Sequence, residues 1–192
     1  MRVLVEHGIH PIIIKLLLKL HLKHMQELLD IKNLLSPRKP WIHLVKCSER
    51  EVDNFSNYLT SQAVAVVRVL RGKRCTTKSG LFDEFASALQ FPYYFGENWD
   101  AFDECLSDLE WLKGNAYIFL ISQANEILSE ESDEELQRFI DILKNIAEEW
   151  SISRENDKEQ PRPAVPFHVV FQYEPEAAEK FQHRLKQAKI NF

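Results

Sequence analysis

Two runs in this chain are apolar on both sides of an extended backbone, and they restrict its fold more than any other feature. Ala63-Val64-Ala65-Val66-Val67-Arg68-Val69-Leu70 is rich in β-branched residues, and Asn115-Ala116-Tyr117-Ile118-Phe119-Leu120-Ile121 has no polar alternation after its first residue. Strands buried on both faces belong to a parallel sheet with helices over each side. Phe167-His168-Val169-Val170-Phe171 is a third such run, and Trp41-Ile42-His43-Leu44-Val45 is a short β-prone fourth. Helical periods fall between them. Ser48 and Glu51 make a capping box ahead of Val52, Phe55 and Leu59. Leu81, Phe82, Phe85 and Leu89 repeat over residues 77–90, Leu136, Phe139, Ile140, Leu143 and Ile146 over residues 132–150, and residues 176–188 close the chain as a helix. The alternation predicts an α/β domain with a small, mainly parallel sheet of three to four strands, covered by helices. Its first pieces, residues 41–70, form a βαβ unit.

A chain of 192 residues suits one domain with a real core. The domain is expected over residues 41–192. Residues 1–40 read as an N-terminal tail outside the fold: the apolar run at residues 12–20 is broken by Lys15 and Lys19, so it is neither a signal peptide nor a membrane span, and Ser36-Pro37-Arg38-Lys39-Pro40 is a linker. Met25 is an alternative start. The formal net charge is −5, with Arg2, Lys15, Lys19 and Lys23 against Glu6 placing +3 on residues 1–24 and leaving −8 on the rest. So acidic a domain is a poor binder of nucleic-acid backbones and a good partner for a basic protein.

One stretch concentrates that charge. In residues 91–106, Pro92 stops a preceding helix, Gly96 permits a turn with positive φ, and Asn98 is an N-cap for the next helix. Trp99, Phe102, Leu106 and Leu109 mark the inner side of that helix, while Asp100, Asp103, Glu104 and Ser107 mark the outer side. Between Leu81 and Leu112 stand eight carboxylates and no Lys or Arg. Asp100 and Glu104, one turn apart, repel each other. A solvated acidic face accounts for this by spacing and charge alone; a surface aimed at a cation accounts for the repulsion being kept.

Catalysis is not encoded. The sequence has no GxGxxG, no GxxxxGK[ST] and no GxSxG, so neither a phosphate cradle nor a nucleophile elbow is expected. Paired acids on an outward helix face lack the concave setting that separates their pKa values, and His168 inside a strand reads as structural. No metal-ligand spacing occurs, and no cofactor is expected. The three cysteines, Cys47, Cys75 and Cys105, are odd in number and far apart, which fits reduced thiols in a cytoplasmic protein.

Pro92-Tyr93-Tyr94-Phe95-Gly96-Glu97-Asn98-Trp99-Asp100-Ala101, followed by Cys105-Leu106, resembles the barstar family, the intracellular inhibitors of barnase-type ribonucleases. The likeness runs from the strand at Val64 to the strand ending near Gln172, so residues 41–62 are an extension of the minimal inhibitor. The resemblance implies a bacterial, cytoplasmic, stoichiometric inhibitor, monomeric when free, that plugs the cationic active site of a small basic ribonuclease. It implies that Asp100 and Glu104 stand in for RNA phosphates and that Tyr94 packs on a catalytic imidazole. Asn98, Trp99 and the backbone at Gly96 would fill the surround, with Asp103 beside them. Glu148 matches a further family acid, with Glu149 competing for the role. Three positions depart from the family pattern: Glu104 replaces Asp, Asp103 replaces a large aromatic, and Tyr93 replaces an acid. These departures keep open a barstar-like interaction domain whose partner is not a ribonuclease.

Overall fold

A computed structural model describes residues 29–61, 65–156 and 161–191. The β-branched runs become four strands: β1 Ile42–Lys46, β2 Val66–Arg71, β3 Tyr117–Ser122 and β4 Phe167–Tyr173. All pairings are parallel, in the order β1-β4-β3-β2. Six α-helices accompany them among the described residues: α1 Ile31–Leu34, α2 Glu49–Ser61, α3 Lys78–Leu89, α4 Trp99–Asp108, α5 Asp133–Trp150 and α6 Ala178–Gln187. The chain is thus α/β with an all-parallel four-stranded sheet. In the capping box ahead of α2, the Ser48 amide and hydroxyl both donate to Glu51 Oε2, at 2.9 and 2.8 Å.

The central strands β3 and β4 are buried along their whole length. Period-2 alternation sends Tyr117, Phe119 and Ile121 to the face covered by α3, α4, α5 and α6, and Ile118 and Leu120 to the face covered by α1 and α2. The site helix α4 rests on α3 and α5 through a cluster of rings. Phe102 meets Phe85 edge-on at 5.0 Å, and Trp99 meets Phe82 the same way at 5.0 Å.

Strands β1 and β2 are parallel members of one sheet joined through α2, the βαβ crossover expected of residues 41–70, and they form its two edges with β4 and β3 between them. One sequence expectation is corrected. The tail boundary at residue 40 is too late. Leu29 and Leu34 are buried against the core, and His168 on β4 meets the carbonyls of Ser36 (2.8 Å) and Pro40 (3.2 Å), so residues 29–40 pack as part of the fold. The expectations for residues 1–24 lie outside the described residues.

Candidate functional site

The loop that carries the aromatic residues begins where α3 ends. Gln90 turns left-handed (φ 55°), and the Phe91 amide reaches back to the Ala86 carbonyl at 3.0 Å, a closure that satisfies the last turn of the helix. Phe91 and Phe95 then anchor the loop, packing edge-on at 4.9 Å, with Phe95 also against Phe82 at 5.8 Å. A turn closed by the Phe95 amide on the Pro92 carbonyl (3.0 Å) leaves Tyr93 and Tyr94 at its tip, 100% and 61% exposed. Sequence rules put the positive φ at Gly96, but Glu97 holds it (φ 48°). Gly96 is small for another reason: a Cβ there would come within 3.0 Å of Asn98 Nδ2.

Asn98 closes the start of α4. Its Oδ1 accepts from the Ala101 amide at 3.0 Å, and its Nδ2 donates to the Gly96 carbonyl at 3.1 Å, so one side chain fixes both the helix and the loop before it. Trp99 is only 5% exposed. Its indole N–H is turned inward and donates to Glu135 Oε2 on α5 at 2.6 Å. At the other end of the helix Trp150 Nε1 donates to the Leu106 carbonyl at 3.0 Å. Two indoles therefore hold α4 against α5, one at each end.

The outer side of α4 is a ridge of exposed acids: Asp100, Asp103 and Glu104. The Asp100 side chain is 96% exposed, and its sole ion pair among the described residues is a long one, 3.5 Å to Arg138 Nη2. The Arg138 guanidinium lies 5.9 Å above the Trp99 ring. No ion pair among the described residues engages Asp103 or Glu104. Burial raises the Asp103 carboxyl above the ordinary range, reinforced by the carboxylates of Glu149 and Asp100. Tyr94 lies over the other flank: partial burial, then Asp108, Cys105, Glu104 and Glu110, raise its phenol, which stays protonated and able to donate.

The two late acids of α5 part company. Glu148 faces the N-terminal segment, where Lys39 Nζ pairs with it at 2.8 Å and Trp41 Nε1 donates at 3.2 Å; those bonds hold its carboxyl below the ordinary range. Glu149 turns to α4, accepting from Ser107 Oγ at 3.2 Å and from Arg154 Nη2 at 2.7 Å. The fold thus gathers Tyr94, Gly96, Asn98, Asp100, Asp103 and Glu104 at one surface, with Trp99 beneath them, and directs Glu148 to a different one. No group of His, Cys, Asp and Glu among the described residues has the geometry to hold a metal ion.

The barstar family model, described as barnase inhibitor, matches residues 65–172, a range that contains both the tyrosine loop and the capped acidic helix. The chain belongs to the barstar family. A search of curated proteins finds no match. The barstar match spans β2 to β4 and includes the whole ridge, while α1, β1 and α2 precede it. Of the four strands, β1 on the β4 edge lies outside the matched range. Sequence reasoning missed Arg138 and Arg154 as neighbours of these acids. Arg138 carried a usable signal, since it lies three residues beyond Glu135 on the helix that supplies the indole acceptor. Arg154 carried none, because it reaches Glu149 from an irregular segment. No helix among the described residues is long and apolar enough to cross a membrane.

Proposed function

We propose that this barstar-family chain is a stoichiometric inhibitor of a barnase-type ribonuclease and blocks its cationic active site with α4 and the loop before it. The observation that carries the reading is the ridge: Asp100 and Glu104 lie one turn apart on an exposed helix face, and the chain's own cations leave Glu104 unpaired among the described residues and Asp100 held only at 3.5 Å. Carboxylates so placed can accept charge-assisted bonds from the Arg and Lys that otherwise hold RNA phosphates. Tyr94 would pack on the ribonuclease's catalytic imidazole, while Asn98, Trp99 and the Gly96 backbone shape the surround and Asp103 adds charge. Glu149 is better placed than Glu148 to add an acid from α5, since Glu148 is already engaged by Lys39 and Trp41. In this reading the protein acts in the bacterial cytoplasm, is monomeric when free, has no catalytic residues of its own and binds no RNA. It protects the cell's RNA from its own ribonuclease.

Asp100→Ala and Glu104→Ala should each weaken binding by at least about 2 kcal/mol, because each strands a desolvated cation on the partner. Calorimetry against barnase-type ribonucleases, with RNA cleavage as a second readout, tests this; undiminished affinity in both variants would remove the site assignment. One observation favours a non-ribonuclease partner instead. Lys39, from the segment ahead of the family match, neutralises the acid at Glu148 and so alters the surface beside the family's inhibitory one. Recovery of a small basic ribonuclease in a pull-down from the native cell separates the two readings.

A further inference from the structure

Residues 81–112 hold no Lys or Arg, so a cation on the acid ridge has to come from another part of the chain. Of the ion pairs among the described residues, one reaches α4: Arg138 Nη2 on α5 to Asp100 Oδ1, at 3.5 Å. Helix α5 delivers the guanidinium there. Arg138 lies three residues beyond Glu135, the acceptor of the Trp99 indole, and its guanidinium sits 5.9 Å above that ring. The fold gains little from this placement. An ion pair so long and so exposed is worth a fraction of a typical salt bridge, and 5.9 Å is near the outer limit of attraction between a cation and a ring. For a surface that has to receive a partner's cations, however, a positive charge at Asp100 is an obstacle. Arg138 also has somewhere else to go. Glu134 and Asp141 lie four residues before it and three after it on α5, the spacings at which helical side chains pair.

We infer that Arg138 is a built-in rival for Asp100: it holds the carboxylate in the free protein, and on docking the partner's cation displaces it toward the acids of its own helix. The inference rests on the inhibitor reading and narrows its partner. Arg138 reaches Asp100 through a single long contact, so a guanidinium that engages both carboxylate oxygens outcompetes it. A basic surface that offers only a diffuse positive field leaves Arg138 in place and meets a ridge with one negative charge fewer. Arg138 then determines specificity, at some loss of affinity, by cancelling Asp100 for every cation that is not aimed at it.

Binding of the full chain to barnase, by calorimetry and stopped flow, tests this. At about 0.05 M salt Arg138→Gln should tighten binding about 3- to 10-fold, and at about 0.5 M the gain should shrink to within about twofold. In the Asp100→Ala background the same substitution should change affinity by less than about twofold, because no carboxylate is left to contest. Thermal unfolding of Arg138→Gln should match the parent, as expected when an exposed pair is removed. If Arg138→Gln binds no more tightly than the parent, or gains equally with and without Asp100, the inference is overturned; with Asp100→Ala still weakened, the inhibitor reading stands. If the parent chain binds neither barnase nor a barnase-type ribonuclease from its own organism, both fall.

Discussion

Glu84 and Glu104 show what separates a structural carboxylate from an available one. Glu84 is 7% exposed and accepts from the Arg71 amide (2.9 Å), Nε (2.8 Å) and Nη2 (2.7 Å), while Glu104 is exposed and bonds to none of the described cations. Burial pushes the Glu84 carboxyl up, but its bonds from Arg71 outweigh burial and hold it below its ordinary value of 4.5. A carboxylate depressed in the folded state stabilises the fold fully above its unfolded pKa and loses that contribution as pH falls through the folded pKa. Glu84→Gln should therefore cost about 1–3 kcal/mol at pH 7 and flatten the acid limb of stability, as urea midpoints between neutral pH and about pH 3 would show. The pair between Asp100 and Arg138 is of the other kind. At 3.5 Å, with side chains 96% and 54% exposed, it contributes little and yields readily to a stronger cation. Residue-scale choices of this sort are also where the sequence was hardest to read. Glu148 and Glu149 are adjacent, and about 100° of helix rotation separates a side chain facing Trp41 from one facing Ser107. Only the packing of α5 on α4 decides between them.

At the scale of elements, α4 was legible because three local signals agree: a capping Asn98, an apolar stripe and acids opposite it. Asn98→Ala removes both bonds of that cap, and it should lower stability by about 1 kcal/mol while weakening partner binding further, since the Gly96 loop is released with it; paired unfolding and binding titrations check both parts. The strand segments were legible for the same reason, since their composition is local. Their order was not, because pairing β1 with β4 depends on contacts more than a hundred residues apart in sequence. Nor was α1 legible, at four residues and within a stretch that reads as tail and linker. A pair of histidines fixes that stretch. His43 Nε2 meets Nδ1 of the fully buried His168 at 3.1 Å. Burial, then the neighbouring His168, lowers His43 from 6.5 to about 4, and burial lowers His168 against its bonds to Ser36 and Pro40. Neutral in the fold and protonated when unfolded, these groups stabilise the fold above pH 6.5, and that contribution declines as pH falls toward about 4. Urea midpoints should drop between pH 7 and pH 5, and the drop should be smaller in His43→Gln.

For the whole molecule the governing quantity is charge. With a formal net charge of −5 and an acid ridge on one side, the protein should meet a basic partner by electrostatic attraction. Raising salt from about 0.05 M to 0.5 M should slow association far more than it speeds dissociation, and a salt-independent on-rate in stopped flow would count against steering. On the inhibitor reading, the indoles of Trp99 and Trp150, which pin α4 at both ends, would govern the docking step. A helix so tethered has its acid spacing set before any partner arrives, so little conformational freedom remains to be lost on docking. Free and complexed forms should superpose closely along α4, and on that reading selectivity is a matter of whether a groove matches a fixed ruler rather than whether the helix can bend to suit it.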